Sequence, residues 1–274
     1  MNIIDPIKTV RSFFESLIET IADSLPEDTF NDSSDHKEIS EILKFSDGFD
    51  NCRPSKKWRK YIQSPDGIRF GNVSFSEAIV RDGLCSVRFD IPRGATQKEI
   101  EDEIPERIEL GSGKVRLLSQ DVWYGFSIYI PENFPHVGGR ICISQWKQDT
   151  DDDPSPLLSF RYEESQLEAV VRLTDKGEIS KEERKKIAGF ERGRWHDFVV
   201  NFKFRFEGGA TKIWMDGNPV FEYQGRMANS VDPEIPFYHK IGIYRDTLKE
   251  GMTLFYDNYT VGSSYEEVDP TKFE

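Results

Sequence analysis

A chain of 274 residues in which 13% are aromatic is long enough for one large core and does not demand two domains. Its 49 acidic residues against 36 Lys and Arg give a formal net charge of −13, which repels nucleic acid and anionic membranes, and no basic tract overrides that field. The same charge opposes an acidic polymer unless Arg and Lys gather locally, and no apolar stretch is long enough to span a bilayer.

Ile3, Ile7, Val10, Phe14, Leu17 and Ile21 recur at spacings of four and three. They predict an amphipathic helix that either packs on its own domain or offers its stripe to a partner helix or a membrane surface. Asp5, Lys8, Arg11, Glu15 and Glu19 interrupt its apolar residues, so no signal-peptide core is written here and the compartment stays open. Residues 26–35 read as a polar linker and 36–45 as one more short helix. The expected organisation is a helical extension and linker over residues 1–45 and a sandwich domain over 46–274.

From Ser46 the pattern changes to alternation of apolar and polar residues, as in Leu84 to Ile91, Val122 to Ile130 and Ile141 to Lys147. These segments predict strands and an all-β fold. Phe198, Val200, Phe202, Phe204 and Phe206 alternate with Val199, Asn201, Lys203 and Arg205, giving one core face and one largely wet face. Asp216-Gly217 is the residue pair of a tight hairpin. Asp149 to Pro156 is an acidic loop, read as a solvated turn ahead of a calcium site. Cys52, Cys85 and Cys142 are odd in number, lack metal-ligand spacing and are expected to be buried free thiols. His36, His136, His196 and His239 show no ligand pairing with them.

Three segments place polar residues two apart on one strand face, the way a sheet builds a lined groove. Gln145 and Lys147 point one way with Trp146 opposite. Tyr238, Lys240, Gly242 and Tyr244 share a face while His239, Ile241 and Ile243 share the other, and Gly242 leaves a gap where a sugar ring could approach the backbone. Arg107 and Glu109 make the third pair; they either bind each other or use Glu109 to orient Arg107. Trp123, Trp146 and Trp195 are expected in the core or on the far side of a sheet.

The succession RIEL, VWYGFSIYIPENFP, ISQWKQ, GRWHDFVVNFKF, IWMDGNPVFEYQG, YHKIGIYR and FYDNYTVG resembles the polysaccharide lyases of the heparin-lyase and glucuronan-lyase type, over roughly residues 46–265. The resemblance implies a concanavalin A-like β-jelly-roll sandwich. It also implies a carbon–oxygen lyase that splits a uronic-acid polysaccharide, glucuronan-like, by β-elimination into unsaturated oligosaccharides. YHKIGIYR looks like the segment that carries the Lys and Tyr of such sites, including those of alginate lyases.

On that reading Tyr244, Lys147, Lys240 and Gln145 are the catalytic set, and Arg107, Glu109, Tyr238, Arg245 and His136 bind substrate. A uronate must lose the repulsion of its own carboxylate before C5 gives up a proton, hence the cations and the amide. Relatives commonly read Gln-x-His where this chain reads Gln145-Trp146-Lys147, so the base is open among Lys147, Tyr244 and His136. Asp257 in FYDNYTVG resembles a position that helps bind a structural Ca2+ in some relatives, and no organic cofactor is expected. The implied partner is an anionic polysaccharide, handled by a monomer, and the substrate class points outside the cell. The alternatives are a non-catalytic lectin-like domain, a coat or adhesion protein using the N-terminal helix, and a glycoside hydrolase, for which the E-x-D-x-E strand is lacking.

Overall fold

Apolar residues at every second position give a strand two unlike faces, and two sheets laid together hide both apolar faces at once. The computed structural model describes residues 44–63, 72–91, 105–115, 121–136, 138–175 and 178–272. These fall in one compact unit of residues 41–274. The helix expected over residues 3–21 and the linker after it lie outside the described residues. So does the expected helix over 36–45 up to residue 43; Phe45 instead opens a strand, because it pairs with Val261 and its ring packs on Trp58 and Tyr259.

One sheet runs in the order β13 (Asn218–Gln224), β12 (Ala210–Met215), β11 (Trp195–Lys203), β6 (Asp121–Tyr129), β15 (Met252–Gly262), β4 (Ser86–Ile91) and β3 (Asn72–Ser76), with β1 (Phe45–Asp47) also paired to β15. The other runs β10 (Glu178–Lys186), β9 (Gln166–Asp175), β8 (Leu158–Glu163), β7 (Ile141–Gln148), β14 (Phe237–Arg245), β5 (Glu106–Gly111) and β2 (Arg59–Gln63). The late strands β14 and β15 each enter the middle of a sheet built from much earlier strands. This gives the expected all-β jelly-roll sandwich.

Phe126, Phe198 and Phe202 meet Trp146 and Phe160 between the sheets, all fully buried. Each such ring contributes roughly 1.5–3 kcal/mol by leaving water. His239 lies among them, stacked on Trp146 at 4.0 Å and bonded to Ser144 Oγ at 2.6 Å and Tyr259 Oη at 3.0 Å. Burial drives its pKa well below the ordinary histidine value, so it is a neutral, satisfied core residue. Asp216 and Gly217 take φ of 51° and 76°, the left-handed pair that a two-residue hairpin turn requires.

Three expectations are corrected. Val199 and Asn201 are buried, because the chain end folds back over this face: helix α1 (Tyr265–Val268) packs on β6, β11 and β15, and a Cβ on Gly125, opposite Val199, would stand 1.6 Å from the Val268 carbonyl. Phe206 is only half-buried, since β11 ends at Lys203 and the ring lies beneath Arg226. Cys52 and Cys85 form a disulfide across 33 positions of sequence, tying the turn after β1 to the start of β4. Such long-range pairs leave no spacing signal. Cys142 alone is the expected buried free thiol, pushed up to about 12 by burial.

Candidate active site

The seven-stranded sheet turns one face to the core and the other outward, and cross-strand partners share a face. On the outward face Lys240 stands opposite Gln145, Tyr244 opposite Cys142 on one side and Arg107 on the other, and Tyr61 opposite Glu109. The sequence pairs therefore converge: Arg107, Glu109, Gln145, Lys147, Tyr238, Lys240 and Tyr244 lie together on adjacent strands.

Gly242 has a different role from the one expected. Gly242 and Ile243 oppose a single residue of β7, a bulge, and Gly242 takes φ of 133°. A Cβ there would meet the Ile108 carbonyl at 2.3 Å and the Phe89 ring at 2.9 Å, so the glycine is demanded by the bulge and the core rather than by an approaching sugar. A second irregularity lies between Cys142 and Ser144 of β7 against β8. The first of these lies immediately before Tyr244.

Around Tyr244 the guanidinium carbons of Arg107 and Arg140 lie 4.3 and 4.6 Å from the ring centre. Glu109, fully buried, accepts from the Gln145 amide and pairs with Arg107 Nε at 3.3 Å. Burial raises the Glu109 pKa against the opposing pull of Lys240, Arg107 and Gln145. The Arg107–Glu109 pair is therefore formed, and the same carboxylate also fixes the Gln145 amide. Lys240 Nζ sits 4.0 Å from the Tyr61 ring centre and 5.2 Å from that of Tyr238. Burial first, then Arg107 and Lys147, lowers its pKa to about 8 against the opposing pull of Glu109 and Asp153. Burial alone would raise Asp153, but its ion pair with Lys147, helped by Lys240 and Arg107, holds its carboxyl below the usual range.

The acidic loop is therefore more than a solvated turn. Asp153, Pro154, Ser155 and Pro156 wall a depression that also exposes Arg107, Arg140, Cys142, Gln145, Lys147, Arg161, Arg172 and Tyr244. Arg140, Arg161, Arg172 and Tyr61 were not singled out from sequence. Arg140 directly precedes the strand carrying Gln145, a signal available but unused; the others come from strands whose neighbours only pairing reveals.

Two expected substrate ligands fall elsewhere. Arg245 is wholly buried on the core face, held by Glu106 at 2.6 and 2.8 Å and by the Glu250 carbonyl at 2.5 Å. The alternation of the strand requires this, since Tyr244 faces outward and its neighbour must face in. His136 is not among the residues lining the depression; Ser165 and Arg192 hold its two ring nitrogens. Trp146 lies in the core, and Trp123 and Trp195 lie half-buried on the far side of the other sheet.

Asp257 lies on β15 in the other sheet. Its oxygens accept the backbone N–H groups of Arg81 and Asn258, both at 2.9 Å, and burial raises its pKa to about 7 with Asp50 adding to the rise. A buried carboxylate with no cationic side chain bonded to it among the described residues is compatible with a hard cation, which Asp257 would hold.

The polysaccharide lyase family profile matches residues 51–260. Among solved structures, an endo-β-1,4-glucuronan lyase from the fungus Trichoderma reesei is 19% identical, with 77% of this chain and 93% of that chain covered and a TM-score of 0.62. A family 7 alginate lyase solved with substrate is 16% identical over 76% and 92%, with a TM-score of 0.52. A cellulose-induced protein is 15% identical over 80% and 97%, with a TM-score of 0.51. At these identities the likeness is one of fold. No curated protein matches the sequence.

Proposed function

The chain belongs to the polysaccharide lyase family, and from that premise we propose that it cleaves a uronic-acid polysaccharide, glucuronan-like in its backbone, by β-elimination. The observation that carries this reading is the cationic face. In a chain of net charge −13, Arg107, Arg140, Lys147, Arg161, Arg172 and Lys240 gather on one face of one sheet around a phenol. This is the local cluster that an acidic polymer demands of an acidic protein. The fold shared with a glucuronan lyase and an alginate lyase inclines the choice toward a uronate backbone.

In this reading Gln145 and Lys240, with Arg107 beside them, meet the uronate carboxylate and offset its charge, so that the C5 proton can leave. The electron pair left at C5 forms the C4=C5 double bond while the C4–O bond breaks, and the leaving oxygen takes a proton. In 1,4-linked glucuronate the C5 hydrogen and the C4 oxygen lie on the same face of the ring. One tyrosine on that side can take the first proton as phenolate and, then a phenol, pass it to the leaving oxygen, and we assign both steps to Tyr244. Lys147 is engaged by Asp153 and His136 by Ser165 and Arg192, which is why neither receives the base role. A calcium ion at Asp257 would belong to the scaffold and take no part in these steps.

Glucuronan, alginate, heparin and pectin are each incubated with the protein and followed by ultraviolet absorbance. The expected result is an unsaturated product from glucuronan. Binding without an absorbing product on every polymer would overturn the reading in favour of a lectin.

A further inference from the structure

Arg161 is 5% exposed and lines the same depression as Tyr244, Arg107 and Arg140. It projects from β8 opposite Cys142, which is itself opposite Tyr244. Arg161 and Tyr244 are thus two strand spacings apart, roughly 10 Å between backbones.

Among the described residues no carboxylate is paired with this guanidinium. Its hydrogen bond is a long one, Nε to Ser159 Oγ at 3.4 Å, and no ion pair joins it among the described residues. The acids nearby serve other cations: Glu182 holds Arg172, and Arg184 is held by Glu182 at 2.6 Å, Glu163 at 3.1 Å and Glu168 at 3.4 Å. Cys142 supplies no thiolate, since burial keeps its thiol protonated. Burial, with Arg172 and Arg184 close by, lowers the pKa of Arg161. A buried guanidinium without a carboxylate is costly unless something completes it, and its planar fork matches a carboxylate in two bonds.

We infer that Arg161 forms a second carboxylate subsite, receiving the uronate adjacent to the one that is cleaved. The subsite rests on the uronate reading above and gives it a direction: the polymer crosses the strands from β14 toward β8. A polymer with a neutral sugar at that place loses this contact and binds more weakly.

The test is calorimetric, in a Tyr244→Phe background that holds substrate without turnover. The probes are a saturated glucuronate trisaccharide and two counterparts in which the uronate at one end or the other is reduced to glucose. Adding Arg161→Gln is expected to weaken the parent trisaccharide by about ten- to a hundredfold, the worth of a charge-assisted hydrogen bond, and to leave one of the two reduced counterparts unaffected. Arg161→Lys, the fallback should the glutamine variant fold poorly, keeps the charge without the fork and is expected to show a smaller loss with the same pattern. Equal affinity of both proteins for the parent overturns the subsite, as does equal weakening on all three probes. Should wild type give unsaturated product from glucuronan while either of those results holds, only the subsite falls. Failure of the Tyr244→Phe protein and of wild type to bind any of the probes sinks the uronate reading, and the subsite with it.

Discussion

The strands β5 and β14 each lend two consecutive residues to two quite different places. Glu106 and Arg245 stand opposite each other on the core face, and Arg107 and Tyr244 stand opposite each other on the outward face. A one-residue step changes the face, so a single register supplies both. Inside, the pair is closed: Arg245 is wholly buried, Glu106 is 2% exposed, and the ions meet at 2.6 Å. Outside, Arg107 keeps a looser 3.3 Å contact with Glu109 and spreads over the Tyr244 ring. Similar residue types thus make a fastening on one side and a receptive surface on the other. What separates them is whether the cation's bonds are completed by the protein.

The largest effect expected outside is that of Tyr244→Phe. It removes one oxygen and leaves the ring between its two arginines, so kcat should fall by about a hundred- to ten-thousandfold with the melting temperature almost unchanged. Near-normal turnover would break the comparison at its centre. Inside, the effect is on folding: Arg245→Met strands a buried Glu106 and should cost roughly 3–5 kcal/mol in denaturant unfolding, with part regained when Glu106→Gln is added. A variant as stable as wild type would show that the pair does not fasten the two strands.

Lys240 sharpens the outward side. Its pKa is lowered to about 8, chiefly by burial, and a residue that offsets a carboxylate must be charged. The value of kcat/KM should therefore fall as pH rises through about 8, and Lys240→Arg should move that limb to higher pH. A rise through the same range would remove Lys240 from the charge-offsetting role. Lys240→Ala and Gln145→Ala should raise KM as well as lower kcat.

The smallest effect is expected at Asp257, whose folded pKa of about 7 exceeds the ordinary aspartate value of 3.8, chiefly through burial. The charged form is then disfavoured in the native state. Its penalty is absent below about pH 4, grows as pH rises toward 7 and is complete above it. A bound calcium ion offsets that penalty, so added calcium should raise the melting temperature more at pH 8 than at pH 5. A chelator without effect at either pH would end the calcium proposal.

The legible parts of this molecule are those with a short period. Alternation alone places Lys240 and Tyr244 on one face and His239 on the other, and Asp216-Gly217 announces its hairpin. The same alternation excludes Arg245 from the groove, a consequence available from Tyr244 and its neighbour. What was hidden needs strand order. Arg161 shares the depression with Tyr244 only because β8 pairs with β7 and β7 with β14, and Cys52 finds Cys85 only through the pairing of β1 and β4 with β15. Asp153 looked like solvated charge because its partner, Lys147, lies across the bend of the loop.

The strand β10 closes the seven-stranded sheet at one side with all nine of its residues exposed. An unpaired edge is a template on which a second chain can add a strand. Here the run Lys181, Glu182, Glu183, Arg184, Lys185 and Lys186 carries six consecutive charges, and the register slips between Ile179 and Lys181. A foreign strand would have to match both the charges and the slip. The border of the sheet nearest Arg161 and Arg172 is thereby shielded from amyloid-like zipping, and concentrated preparations should lose that colloidal resistance when these charges are replaced by threonine or valine.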